Sequence, residues 1–527
     1  MLKNMFLRGA MALTAAGIVV KLLGGVNRIL LSRILGGEGI GLYQIAYPVY
    51  VLGLSIAGAG VPIALSVMVA EKIAQGDSGG ARRIFRIILI FMTVVAVFFG
   101  AGLFLGAEGL IAFGLVRDVR AYFPLVVLAP ALTVSIITCT FRGYFQGLQI
   151  MTPTAISQMC DQFVRVCVML VLAYTLLPYG LETAVTGAAF GAVTGAAFGA
   201  VPGALAGLAV ISALYARHVR RSVPPLRGAD NGEPVFSLLR RFIILAVPVA
   251  AANMLLPAVA GIDMIIVPMR LEAAGHSVQA STALYGYLTG MANGLVQVPT
   301  ILTVSLATSL VPAVSAAFTA GRLQEVKERT DTAMRIANLI TVPACLGLAV
   351  LATPISELLY NTAAAGPAIR VLALAAFLIG LQQVTNGLLQ GMGRTGIPLL
   401  NMGIAAVVKI ILSWYLTALP WLGEVGAAWA TNADIALATT LNIYFVRKYI
   451  GYRPEWAYIG KLFIAAAAMA GTAVILYHPL SAVAGNSAAT VVSIAAAAII
   501  YLAGLFLVRA VDVAVLRNVP FMGKLLK

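Results

Sequence analysis

Apolar stretches of about 20 residues or more recur along this chain, separated by short charged or Gly/Pro-bearing connections. A helix rising about 1.5 Å per residue needs about that length to cross the roughly 30 Å hydrocarbon core of a bilayer. A soluble domain carries about a quarter charged residues. Here Asp, Glu, Lys and Arg make up 10% of 527 residues, and the hydrophobic types 61%. So few charges cannot cover a water-facing surface. The runs are also too long and continuous for barrel strands, so the sequence reads as an all-α integral membrane protein.

Windows of about 19 residues predict fourteen spans, near 9–31, 40–70, 84–106, 121–143, 153–177, 184–216, 242–268, 283–319, 332–356, 367–389, 398–419, 424–446, 457–477 and 488–509. The second, sixth and eighth exceed what a bilayer requires, so they tilt, break at Pro or Gly, or extend into water. No soluble domain is expected, because the longest polar stretch is roughly 217–241. The N-terminal apolar segment lacks the pattern of a cleavable signal peptide. With the N-terminus inside, 26 of the 35 Lys and Arg residues fall on the cytoplasmic side, including Arg142 at the end of the fourth span. Five lie outside: Arg33, Arg117, Arg120, Arg270 and Arg370. This asymmetry predicts cytoplasmic N- and C-termini and assigns the net charge of +16 to membrane orientation, not to nucleic acid.

The stretch "GYFQGLQIMTPTAISQMCDQFVR" from Gly143 is echoed by "GLLQGMGRTGIPLLNMGIAAVVK" from Gly387. Gly143, Gln146, Gly147 and Arg165 match Gly387, Gln390, Gly391 and Lys409 at an offset of 244. A weaker echo near offset 245 links "VAEKIAQGD" after the second span to "VSAAFTAGR" after the eighth. The period covers six spans, an even number, so the copies share one orientation, as in transporters with parallel repeats. The expected organisation is a six-helix lobe over 1–216, a basic cytoplasmic linker over 217–241, and a second six-helix lobe over 242–450. Two further helices and a basic tail occupy 451–527. A tandem duplication, "TGAAFGAV" at 186–193 and 194–201, reads as small-residue packing.

Chemistry is sparse. Cys139, Cys160, Cys167 and Cys345 lie in apolar segments and read as small core residues. His218, His276 and His478 are scattered, and no phosphate-binding GxxxxGK loop occurs, so no enzyme activity, metal or cofactor is expected. The informative residues are charges within spans, which are costly in a bilayer, usually face the protein interior and mark function. Lys21 and Arg28 are seven residues apart on one face of the first span, with Gly24 and Gly25 between them, and Arg33 reaches the outer interface. Asp161 and Arg165 share a face of the fifth span. Lys409 is the repeat mate of Arg165. Asp434 is central in the twelfth span, Asp263 lies in the seventh, and Arg270 stands at its rim. Internal pairing neutralises only part of this set. The six cations face three aspartates, and the surplus suits an anionic ligand such as a phosphate or diphosphate.

The segments "RILGGEGIGLYQIAYPVY" (33–50), "GVPIALSVMVAEKIAQGD" (60–77), "NGLVQVPTILTVSLATSLVPAVSAAF" (293–318) and "GLLQGMGRTGIPLL" (387–400) carry a family likeness. They resemble the polysaccharide transporters of the multidrug/oligosaccharidyl-lipid/polysaccharide exporter superfamily, on the branch of stage V sporulation protein B-like proteins and MurJ-like lipid II flippases. That resemblance implies alternating access in a bacterial plasma membrane, with a lipid-linked oligosaccharide of the undecaprenyl-diphosphate type moved from inner to outer leaflet. It implies a peptidoglycan precursor, for spore cortex in the sporulation proteins, and cell-wall glycosyltransferases as partners. MurJ-like flippases place basic residues in the first helix, where this chain has Lys21 and Arg28, but tend to carry arginine then an acidic residue where it reads Asn27-Arg28. Two other readings stay open. One is an ion-coupled exporter of organic cations using Asp161, Asp263 and Asp434. The other is a non-transporting scaffold for cell-wall synthases.

Overall fold

The computed structural model describes residues 2–180, 191–221 and 233–510. Most of the first copy of the eight-residue duplication, the middle of the basic linker and the basic C-terminal tail lie outside them. The described residues are helical with short connections and contain no strand. In chain order the helices are α1 (Leu2–Gly58), α2 (Val61–Ala74), α3 (Ser78–Ala112), α4 (Tyr122–Gly147), α5 (Thr152–Leu176), α6 (Ala192–Phe198), α7 (Ala200–Arg221) and α8 (Val235–Ala273). They continue as α9 (Val278–Tyr285), α10 (Asn293–Val296), α11 (Thr300–Thr319), α12 (Leu323–Val350), α13 (Ala352–Tyr360), α14 (Gly366–Gly391), α15 (Gly396–Leu416), α16 (Glu424–Ile450) and α17 (Trp456–Leu507).

Eleven stretches are long and apolar enough to cross a membrane. α1 and α17 are each broken by a glycine with positive φ, Gly36 (68°) and Gly485 (76°), a conformation that suits a residue without Cβ. Each therefore makes two helical segments, and with the more polar α16 the described residues hold a helix at each of the fourteen expected spans, residues 184–190 of the sixth lying outside them. Two of the three over-long spans break. The second breaks before Pro62, where α2 begins, whereas the described part of the sixth runs on from α6 to α7 through Gly199, whose backbone stays helical. The eighth runs from α9 through a π-helical turn, Gly286–Ala292, to α10 and α11. Inserted π turns widen a helix and leave backbone groups to be satisfied from outside. Here the Tyr360 hydroxyl donates to the Met291 carbonyl at 3.0 Å.

The chain forms two compact units, residues 1–286 and 287–527. In the first, α1 meets α9 through glycines: a Cβ on Gly41 would stand 2.0 Å from the Thr282 carbonyl oxygen, and one on Gly286 2.1 Å from that of Gly37. The buried carboxylate of Asp118 accepts from Thr282 (2.8 Å) and from Arg120 (2.7 Å), which also reaches Glu38 at 2.6 Å. In the second unit, Val314, Val326, Ala337, Val384, Leu388, Leu389 and Val446 form a fully buried core.

Each unit repeats the other's internal packing. A Cβ on Gly147 of α4 would lie 2.7 Å from Val69 Cβ and 2.8 Å from the Ser66 carbonyl oxygen on α2. One on Gly391 of α14 would lie 2.9 Å from both Val314 Cβ and the Val311 carbonyl oxygen on α11. Gly76 and Gly321 take the left-handed conformation before α3 and α12, and Gln149 and Gly393 take it before α5 and α15. Residues Gly143 and Gly387, quoted above for the repeat, likewise abut backbone, of Pro62 and of Ala307. The retained glycines are therefore places where two helix backbones touch. The second unit adds a neutral polar knot: Asn401 of α15 donates to Asn442 of α16 (2.8 Å), which donates to Asn386 of α14 (2.7 Å).

Two predictions follow from this packing. Gly147→Ala and Gly391→Ala should each cost about 1–3 kcal/mol, the usual cost of overpacking. The cost would appear as a lower midpoint in thermal unfolding of detergent-purified protein, and unchanged midpoints would contradict the helix contacts described. Asn442→Leu strands the Asn401 amide and the Asn386 carbonyl together, and should cost about 1–3 kcal/mol for each group left unpaired. The same assay reads it, and a neutral result would mean that the knot contributes nothing.

Candidate substrate site

The side chains that α5 carries are aimed by its neighbours. α6 and α7 lay a row of glycines along it. A Cβ on Gly195 would stand 2.6 Å from Leu176 Cδ1, one on Gly199 2.4 Å from Met169 Cγ, and one on Gly203 2.6 Å from Arg165 Cβ. One on Gly207 would stand 3.0 Å from Asp161 Cβ. The upper end of α7 is held by Tyr215, whose ring packs among Phe85, Phe141 and Tyr144 at centroid distances of 4.7, 5.7 and 5.4 Å. The α7 backbone thus lies against the Cβ atoms of Asp161 and Arg165.

There they meet a third charge. Arg165 donates to Asp161 at 3.0 Å, and the Arg142 guanidinium of α4 lies 3.6 Å from the other oxygen of the same carboxylate. Arg142 also donates to Ser157 Oγ (3.3 Å), which donates to the Gly207 carbonyl (2.9 Å). The Arg165, Arg142 and Asp161 side chains are 12%, 16% and 18% exposed. Arg142 Nε is buried with no acceptor among the described residues.

α1 supplies the facing wall. Gly24 approaches Gln162 of α5, with a Cβ position 3.6 Å from its amide nitrogen, and Asn27 donates to the Met169 sulfur at 3.7 Å. Beyond the break at Gly36, Tyr43, Tyr47 and Tyr50 follow one face, their rings 5.4 and 5.8 Å apart in succession. Tyr50 shares a hydrogen bond with Ser135 at 3.0 Å. Arg28 lies half-buried on the same helix α1. Arg142 and Arg165 thus share the Asp161 carboxylate, with these hydroxyls on the facing wall. Guanidinium groups in such surroundings recognise phosphate through paired, charge-assisted hydrogen bonds.

Among the residues expected from sequence, the structure pairs Asp161 with Arg165, and Arg28 is half-buried on α1. Lys21 and Arg33 lie exposed on α1, with open space beside Gly25. Asp263 and Arg270 are half-buried on α8 of the same unit. Lys409, 7% exposed on α15, and Asp434, half-buried on α16, belong to the second unit. Sequence reading missed Arg142, which it counted among the cytoplasmic charges, as well as Ser157 and the tyrosines. The tyrosine spacing of four and three residues was a visible helical-face signal. Nothing local to Arg142 indicates that it turns toward α5.

Known proteins agree with this architecture. The family model described as polysaccharide biosynthesis protein matches residues 6–318, and the MatE model matches 281–415. Stage V sporulation protein B of Bacillus subtilis (strain 168) is 32% identical over the full length of both chains. Lipid II flippase MurJ of the same organism is 26% identical, over 86% of this chain and 84% of its own. A solved structure of lipid II flippase MurJ, in an inward closed conformation, shares the fold with a TM-score of 0.72 at 14% identity, covering 95% of this chain and 99% of the other. An inward-facing multidrug resistance MATE family transporter gives 0.66 at 16%, covering 82% and 94%. With its many membrane-crossing helices, the chain is a multi-pass bacterial membrane transporter of the polysaccharide biosynthesis protein family, on the stage V sporulation protein B-like and MurJ-like branch of the multidrug/oligosaccharidyl-lipid/polysaccharide exporter superfamily.

Proposed function

We propose that this protein moves a lipid-linked, diphosphate-containing oligosaccharide, a peptidoglycan precursor used in sporulation, from the inner to the outer leaflet by alternating access. The observation that carries this reading is the pair of guanidinium groups, Arg142 and Arg165, that share the carboxylate of Asp161, with Arg28 half-buried on α1. Their surplus positive charge lies within apolar helices, where a diphosphate would supply the missing negative charge. Tyr43 and Tyr47 offer hydroxyls to the same group. The isoprenoid tail stays in lipid, so the protein need accommodate only the headgroup. Lys21, Arg33, Asp263, Arg270, Lys409 and Asp434 are further headgroup or coupling residues in this scheme. Relatives named as a lipid II flippase and a sporulation protein support it. The same patch disfavours an organic cation as cargo, because cations would meet like charge.

The test is flipping of a fluorescent lipid-linked disaccharide diphosphate in proteoliposomes. Arg28→Ala and Arg165→Ala should each slow flipping at least about tenfold, as expected from losing a charged hydrogen bond of about 1.5–3 kcal/mol. Arg335→Ala, which removes an exposed ion pair with Glu455 and a stacking contact over the Tyr458 ring, should leave it near wild type. Wild-type protein that ignores the lipid but exchanges an organic cation for protons or sodium would replace this reading with the exporter.

A further inference from the structure

The two units differ at the position of Asp161. Arg142 corresponds to Asn386 and Ser157 to Asn401 at the repeat offset, and Arg165 corresponds to Lys409, but the mate of Asp161 is Ala405. In the second unit the equivalent place holds three amides, Asn386, Asn401 and Asn442, bonded to one another at 2.7–2.8 Å, with Lys409 buried on the same helix as Asn401. In the first unit it is an ion cluster whose single anion is shared. One carboxylate oxygen takes Arg165 and the other faces Arg142. Carboxylate and phosphate oxygens make the same kind of hydrogen bond to a guanidinium. Asp161 therefore occupies sites that an anionic ligand would use, and it leaves Arg142 Nε without an acceptor.

We infer that Asp161 is an internal counter-ion that the substrate's diphosphate displaces, rather than a residue that holds the substrate. This inference rests on the diphosphate reading of the patch. In the empty site Asp161 keeps Arg142 and Arg165 apart from each other's field and aligned along α4 and α5. When the headgroup enters, its phosphate oxygens take over the two guanidinium groups. The freed carboxylate then stands beside a like charge and opposes binding. A carrier must release its cargo as well as bind it, and only differences between its states can drive that cycle. A competing anion built into the wall weakens the bound state without weakening the cations that recognise the headgroup.

The experiment measures binding of undecaprenyl diphosphate, with uncharged undecaprenol as reference, to purified protein in nanodiscs. Asp161→Asn keeps the shape and removes the charge. It should bind the diphosphate at least about tenfold more tightly, show no change toward undecaprenol, and flip more slowly through delayed release. Asp161→Glu should stay near wild type. Unchanged or weaker binding by folded Asp161→Asn, while Arg165→Ala still loses affinity, would overturn the counter-ion role and leave the diphosphate site standing. Indifference of Arg28→Ala and Arg165→Ala to the diphosphate would instead overturn both. Should Asp161→Asn fail to fold, the double variant with Arg142→Gln restores the charge balance. Measured against Arg142→Gln alone, it must show the same tightening.

Discussion

A guanidinium group among membrane helices has to be paired, hydrogen-bonded or reached by water, because the hydrocarbon offers none of these. In the first unit that requirement is met by helix proximity. Gly203 and Gly207 let the α7 backbone come directly against the Cβ atoms of Arg165 and Asp161. Beside them stand Arg142 and Ser157, whose hydroxyl donates to the Gly207 carbonyl. The charge cluster thus depends on small-residue packing at its base. Enlarging a glycine there would strike the root of a charged side chain.

The repeated halves show which part of the design is scaffold. The glycines of α4 and α14 meet matching neighbours on α2 and α11, and left-handed turns recur at matching points. Backbone contact leaves no tolerance for a side chain, so these positions persist while the polar filling around them diverges. Amides pair with one another and need nothing further. Shared ion pairs leave charge to spare. The two units therefore have one geometry and unequal electrostatics, an asymmetry that suits a carrier whose ligand has one charged end.

Much of this was legible in the sequence because it depends on local quantities. Span length, a break in an over-long span and glycine identity at a fixed offset are properties of short windows. The structure realises breaks before Pro62 and at the π turn after α9, inside the second and eighth expected spans. The common face of Lys21 and Arg28 also follows from helical period alone, yet Lys21 is exposed while Arg28 is half-buried. What decided their fates is the neighbour across α1, and periodicity carries no information about neighbours. Arg142 illustrates the same point. Near the end of an apolar run it reads as a loop charge, and only the approach of α5 reveals it as an interior one.

The row of glycines along α6 and α7 has one more implication. Its spacing is four residues, from Gly195 through Gly199 and Gly203 to Gly207, and each gap receives a different side chain of α5, Leu176, Met169, Arg165 and Asp161 in turn. The interface therefore specifies its own register, and Tyr215, clasped among Phe85, Phe141 and Tyr144, holds the far end. Eight residues are two whole glycine intervals, so the second copy of the tandem duplication supplies Gly195 and Gly199 at the same pitch as the Gly203 and Gly207 that seat the charged residues.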